Sequence, residues 1–504
     1  MLERLWTWMK ADGSRAEGDA RAPWRLFWVA FAIRVLYMTL AHTYRIRPFG
    51  DHFQFGWEAG RIARSLATGQ GYANPFALSF LGPTGPTAWV PPAYPLLIAA
   101  VFKLFGVYTS LSAWVLLFIN CVLSALTAMG VWEIAYRCYS RANAIWSGWL
   151  WALYPAAMQY AVRWLWEMSL TTFLFTTVLV IALRMRDINQ NRGGASQGAS
   201  SGKSQTGAWI LFALLWGIIA LSTSTLLLFL PVCGIWVLIG TWSRPHALRN
   251  AILAAIVFLA CLTPWEIRNY RVFNAFIPIR GNLGVETYLG NGPGSNGWVM
   301  VYDHPNMAVD QFQLYKQMGE LRYAKMRGDL ARAYMRAHPS HFLANTLKRI
   351  YFFWIGVPSD APLAVELPRM LSYSFISLAG LLGLALSLRN RIPGAGLIAW
   401  IFILLPLPYY TVFVQARFRH PFEPLLTILA VYLFQSATPS GFSTKSDRIK
   451  RSSNLIWFCL FWLLRSYSQA IHIAFSGTSS SRKRKRLWNR EQLSGSTTLK
   501  VLDF

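Results

Sequence analysis

Apolar and polar positions alternate along this chain in long blocks rather than at the period of an amphipathic helix or strand. Apolar blocks run over Trp24–Ala41, Trp89–Phe105, Leu111–Tyr136, Ala144–Ala161, Ser169–Leu183, Ala208–Leu221, Leu226–Trp242, Asn250–Leu262, Met370–Leu388, Ala395–Val414 and Phe422–Phe434. About 20 apolar residues are needed to cross some 30 Å of hydrocarbon, and in a bilayer only helices or closed barrels satisfy their own backbone. The pattern therefore predicts an all-α polytopic membrane protein, a bundle of about 11–13 transmembrane helices with a membrane-proximal outer loop region. Leu343–Val357 is apolar but carries Lys348 and Arg349, so it reads as interfacial.

The polar stretches divide the chain. Residues 1–23 form a charged N-terminal segment, read as cytoplasmic, with the first apolar block behind it as a retained anchor. Residues 24–437 form one transmembrane unit. Within it lie a first outer loop at 42–88, a Gly/Ser/Gln-rich cytoplasmic linker at 185–207 and a long outer loop at 264–343. Residues 438–504 are a basic extension, including the run Arg482–Arg486, read as cytoplasmic and partly disordered.

Charge sets the orientation. Only 14% of residues are charged, against about a quarter in soluble domains, yet the net charge is +27. Basic loops that orient spans and touch anionic lipid account for that balance better than nucleic acid. Arg186 with Arg192 and Lys203, Arg244 with Arg249, and Arg389 with Arg391 mark cytoplasmic loops, which leaves 42–88, 264–343 and the link at Arg417 outside. Arg137 and Arg141 upset the count: either Trp89–Phe105 dips into the membrane and returns, or one basic loop breaks the rule. The five cysteines are scattered through apolar blocks without metal-ligand spacing, so they read as core residues.

The outer segments hold the candidate chemistry. Asp51 follows the first span, and on a helix Glu58 lies two turns on, facing the same way. Two such carboxylates suit a base with a metal ligand or a sugar-hydroxyl anchor. A helix cap at Asp51 and a Glu58–Arg61 pair explain them equally well. Trp89 and Tyr94 suit sugar stacking or the aromatic belt. Glu167 pairs with Arg163 or reaches into a cavity beneath Asp51. Arg268, Arg271 and Arg280 follow a span, and Arg417, Arg419 and His420 lie between two others. Guanidinium forks suit a lipid phosphate, with headgroup snorkelling as the structural alternative. GNLGVETYLGNGPG lacks the strand–helix frame of a nucleotide fingerprint and reads as turns. With no nucleotide signature, an enzyme of this kind draws its substrate from the lipid.

The order of these pieces resembles the family-39 glycosyltransferases of GT-C fold, which include protein O-mannosyltransferases and lipid A aminoarabinose transferases. The resemblance covers about 24–434 and rests on Asp51, Pro91–Pro92 with Pro95, Lys103–Gly106, Glu167, PWEIRNYRVF and RFRHPFEP. It implies a polyprenyl-phosphate-linked monosaccharide as donor and a lipid, glycan or protein as acceptor. It further implies inversion, Asp51 as the catalytic carboxylate, and arginines that neutralise the departing phosphate. No metal ligands are assigned, and a divalent metal stays open. His52 stands where the family carries a second carboxylate, and Val90 where the aminoarabinose transferases carry a lysine. A polymerase or ligase of lipid-linked glycans is the alternative. A transporter is disfavoured because no internal repeat is seen and the charges gather outside the spans.

Overall fold

The computed structural model describes residues 15–46, 55–76, 82–189, 205–298, 300, 303–357 and 363–437. Asp51 and the basic extension at 438–504 lie outside these. Among the described residues there are helices and no strand, only one isolated bridge between Ala73 and Pro86.

The chain opens with α1 (Arg15–Leu40), then α2 (Glu58–Ala67) and α3 (Ala93–Phe105). α4 (Ser110–Cys138), α5 (Arg141–Leu153), α6 (Pro155–Val162) and α7 (Met168–Met185) follow. After the linker come α8 (Thr206–Ala220), a 3-10 turn (Ser224–Phe229), α9 (Leu230–Thr241) and α10 (Ala247–Phe273). A polar layer holds α11 (Leu283–Asn291), α12 (Val309–Met318), α13 (Glu320–Ala337) and α14 (Pro339–Ile355). The bundle closes with α15 (Leu363–Arg389), α16 (Ala395–Leu404), α17 (Leu407–Thr411), a 3-10 turn (Ala416–Phe422) and α18 (Glu423–Ser436).

Among the described residues, five segments are long and apolar enough to cross a membrane: α4, α7, Ser224–Thr241, α10 and Arg369–Arg389. Ala93–Phe105, Thr206–Ala220 and Ala395–Thr411 are apolar but shorter. This is fewer unbroken spans than the block pattern predicts, for local reasons. Pro155 divides one block into α5 and α6, and Pro406 divides another into α16 and α17, since proline cannot supply the helical N–H. α3, at 13 residues, reaches only about 20 Å. α1 and α4 are antiparallel neighbours: Ala22, Leu26 and Ala30 cluster with Ala125, Ala128 and Val131, whereas Met38 clusters with Leu116, Leu117 and Cys121. A short α3 that does not cross is what that pairing needs. On α10, Leu248, Ile252, Ile256 and Leu259 form an exposed stripe, at the spacing of one helix face turned to lipid. α15 meets α18 through Gly380 and Gly383, where a Cβ would strike Leu426 and Leu429, the small-residue contact that lets membrane helices approach.

Arg34 lies in the C-terminal half of α1, within the apolar block, and is fully buried. It donates to the carbonyls of Ala152 (2.8 Å), Trp151 (3.4 Å) and Ala30 (3.1 Å) and to Ser124 Oγ (3.1 Å). Trp151 and Ala152 belong to the last turn of α5, whose carbonyls lose helical partners at the Pro155 break. A mid-span charge is thus explained by backbone it satisfies. Arg34→Leu should lower stability by about 1–3 kcal/mol, read as a lower thermal midpoint in detergent; an unchanged midpoint would contradict this role.

The two long polar segments fold together. Phe76 and Trp89 from the first pack with Val285, Leu289, Phe312, Tyr315 and Tyr323 from the second. The buried Glu320 carboxylate ties them: Ala88 N donates to Oε1 (2.8 Å), Tyr315 OH to Oε2 (2.8 Å), and Thr87 Oγ1 also to Oε2.

Candidate active site

Four segments converge where this polar layer meets the bundle. The first is the start of α2. Gly56 has φ +82°, and a Cβ there would strike the carbonyl of Leu165 and touch Trp166. Only glycine takes that conformation at no steric cost, and its bareness lets the α2 start rest on the link between α6 and α7. Glu58 follows. Asn306 Nδ2 donates to its Oε1 at 2.6 Å, and His304 Nε2 lies 3.7 Å from the same oxygen. Arg61 donates to Asn306 Oδ1, so Glu58 and Arg61 are joined through Asn306.

Burial raises the Glu58 carboxyl above the usual carboxylate range; nearby Arg61 opposes the rise, Glu286 adds to it and Arg417 opposes it. His304 is held neutral, pushed down to about 3 by burial, with Arg61 adding to the effect. Its Nδ1 accepts from Asn306 N at 3.1 Å, which leaves the proton on Nε2, towards Glu58.

The second segment is the α6–α7 link. Arg163 is exposed, with its guanidinium 5.9 Å from the Trp164 ring. It forms no ion pair with Glu167 among the described residues. Glu167 is half-buried at the head of α7, within electrostatic reach of Tyr94 and Tyr409. Trp164 and Trp166 stack at 5.0 Å.

Arg417, on the third segment, places its guanidinium 4.2 Å from the Trp166 ring centroid and 5.4 Å from Phe418. Its Nε is buried with no hydrogen-bond partner, and no hydrogen bond or salt bridge engages its side chain among the described residues. Arg419 is its opposite. It is fully buried; Nε (3.2 Å) and Nη2 (3.1 Å) donate to Glu423 Oε1, and Nη1 reaches Ser377 and the Tyr373 carbonyl (3.3 Å). His420 Nδ1 lies 2.7 Å from Glu423 Oε2, and its ring packs between Trp151 and Tyr160. The donors of Arg419 are held by the fold, which leaves none for a phosphate in this arrangement. Arg419 and His420 therefore brace the turn that carries Arg417.

The fourth segment is α11 with the residues before it. Arg280 donates to Asn282 Oδ1 (2.6 Å) and pairs with Glu286 Oε1 (3.2 Å); Asn282 Nδ2 donates to the same oxygen (2.9 Å). Burial raises the Glu286 carboxyl, against Arg280 and then Arg417. The middle of the glycine-rich run read as turns, Leu283–Asn291, is thus a helix, with turns at its two ends. Its glycines serve contact: a Cβ on Gly284 would meet the Ala324 carbonyl, and one on Gly290 the Val412 carbonyl. Asn291 Nδ2 donates to the Thr411 carbonyl at 2.9 Å. Arg349, expected at an interface, is fully buried and donates to the carbonyls of Gly290, Gly297 (3.2 Å) and Thr411 (3.3 Å). These bonds fasten α11 to the irregular stretch leading into Arg417.

The other candidates fall outside this convergence. α10 runs on through Pro264, and in its last turns Arg268 donates to the carbonyls of Thr87 (2.6 Å) and Tyr72 (2.7 Å). It clamps the first loop onto the helix. Arg271 is exposed. Trp89 and Tyr94 are 3% and 2% exposed and are packed in separate cores, so neither ring offers a face for stacking. No three His, Cys, Asp or Glu side chains group as a metal site among the described residues.

The structure is similar to the oligosaccharyltransferase AglB of Archaeoglobus fulgidus in its apo form, at 13% identity and a TM-score of 0.49, over 91% of this chain and 56% of that one. Another AglB structure, in complex with an inhibitory peptide and a dolichol-phosphate, gives 12% identity and a TM-score of 0.48. ArnT of Cupriavidus metallidurans bound to undecaprenyl phosphate gives 13% identity and a TM-score of 0.36, over 81% of this chain and 78% of that one. The chain spans about half the length of the oligosaccharyltransferase. No family model and no curated protein matches the sequence. At these identities and scores no residue role passes from either enzyme to this chain.

Sequence reasoning missed Trp166, Glu286, His304, Asn306 and Glu320. The aromatic run RWLWEMS held a signal for Trp166, because a tryptophan beside a lone acid at a span end is a ready platform for a cation. The others come from polar stretches without periodicity.

Proposed function

We propose that this protein is a membrane glycosyltransferase of GT-C architecture. It moves a monosaccharide from a polyprenyl-phosphate donor to a lipid, glycan or protein acceptor at the outer face of the cell membrane. The observation that supports this most is Arg417: a guanidinium held on Trp166 with no hydrogen-bond partner among the described residues, within electrostatic reach of Glu58 and Glu286, whose carboxyls burial raises. Such a group lacks an anion, and a phosphate matches its fork.

In the proposed reaction an acceptor oxygen attacks the anomeric carbon as the bond from that carbon to the phosphate oxygen breaks. The electron pair leaves on the polyprenyl phosphate, whose charge Arg417 neutralises. Asp51, which the family resemblance implies as base, takes the acceptor proton where the acceptor is a hydroxyl. Glu58, ionised, orients the reacting groups, and Glu167 is a further carboxylate for the same task.

The test is transfer of radiolabelled sugar from a polyprenyl-phosphate donor by purified protein in detergent. Asp51→Asn should lower it severely, and transfer at the wild-type rate would remove Asp51 from the mechanism. Glu58 supplies a pH signature. Because burial raises its carboxyl, activity that needs the ionised form should rise with pH along a limb above the ordinary carboxylate range. Glu58→Gln has no proton to lose, so the limb should move or vanish. A limb unchanged in that variant would exclude Glu58.

A further inference from the structure

No step of the proposed transfer uses Glu286. Its Oε1 is occupied twice, by Arg280 Nη2 and Asn282 Nδ2. No hydrogen bond or salt bridge engages Oε2 among the described residues, and the side chain keeps 18% exposure. The carboxylate is thus aimed by one oxygen and open at the other.

Its helix is fixed relative to Arg417. Gly290 lies against the Val412 carbonyl, Asn291 bonds the Thr411 carbonyl, and Arg349 bonds both sides of that junction. Glu286 and Arg417 interact electrostatically, yet no salt bridge joins them. A ligand that carries both an anionic phosphate and hydroxyl donors can engage the guanidinium with one part and the open carboxylate oxygen with the other. A phosphate on Arg417 carries its sugar through a single oxygen, so hydroxyl donors arrive within a few ångströms of the phosphorus.

We propose that Glu286 is a specificity residue of this site, its free Oε2 accepting a hydrogen bond from a hydroxyl of the sugar whose phosphate Arg417 holds. This rests on the phosphate role given to Arg417. Ionised, the carboxylate is acceptor-only at both oxygens, and its ion pair with Arg280 favours that form against the burial that raises the group. Hydrogen bonds to a charged acceptor are the stronger kind, and a site built around one discriminates against a ligand that cannot supply the donor.

Binding separates the two roles. Purified wild type, Glu286→Ala, Glu286→Gln and Arg417→Ala are titrated with undecaprenyl phosphate and with its glucosyl, mannosyl and arabinosyl derivatives. Wild type should bind at least one glycosylated lipid more tightly than the bare lipid. Glu286→Ala should remove that preference, about 10- to 100-fold, while the bare lipid binds within twofold of wild type. Glu286→Gln, which fills the same space, should show the same selective loss and so sets aside misfolding. Arg417→Ala should weaken every lipid. A sugar preference that survives in both Glu286 variants, an equal loss for bare and glycosylated lipid, or no preference in wild type overturns the proposal. Undiminished binding by Arg417→Ala instead overturns the phosphate role beneath it.

Discussion

Arg417→Ala is expected to cut transfer from a polyprenyl-phosphate sugar by about 10²- to 10³-fold, the usual consequence of removing one preorganised charge from the place where negative charge develops. The fold should survive the change. In the structure Arg417 makes ring contacts with Trp166 and Phe418 and no hydrogen bond among the described residues, so only a cation–π contribution of about 0.5–2 kcal/mol is lost. A normal thermal midpoint with crippled turnover is therefore the signature. Arg417→Lys keeps the charge but loses the planar fork and the stacking surface, and should fall between the two. Wild-type turnover in Arg417→Ala would mean that the leaving phosphate is neutralised elsewhere.

Glu423→Ala should act through stability, with a loss of about 3–5 kcal/mol, because removing one partner of a buried pair strands the other charge. Here Arg419 is fully buried, and Glu423 is its only carboxylate partner among the described residues. His420 would lose its partner as well. The thermal midpoint in detergent should fall sharply. The 3-10 turn that carries Arg417 should loosen, so that affinity for undecaprenyl phosphate drops too. A variant that melts like wild type would show that the Arg419–Glu423 pair does not hold this turn.

The sequence pattern announced the class of fold but not which charges would be free. Arg417 and Arg419 look equivalent in QARFRHPF, since both lie between spans. On a turn of three residues per revolution, side chains two apart point to different faces. One therefore enters the bundle and meets Glu423, while the other rests on Trp166. Arg268 reads as a phosphate ligand because it follows a span, but the loop carbonyls of Tyr72 and Thr87 occupy it. These partners are 196 and 181 residues away, and no local spacing encodes such a contact. Arg34 was hidden for another reason: a single charge barely lowers the average of a long apolar block. The glycines around Glu286 carried a real signal with two meanings, turns or close contacts, and only packing against Ala324 and Val412 distinguishes them.

In the proposed transfer a lipid-borne phosphate binds the guanidinium that Trp166 supports. An experimental structure of the full-length protein with undecaprenyl phosphate tests it most directly. Phosphate oxygens within about 2.7–3.2 Å of Arg417 nitrogens, with one non-bridging oxygen pointing towards Glu58 and Glu286, is the expected result. A phosphate bound at Arg268 or Arg271, with Arg417 still free, would contradict it.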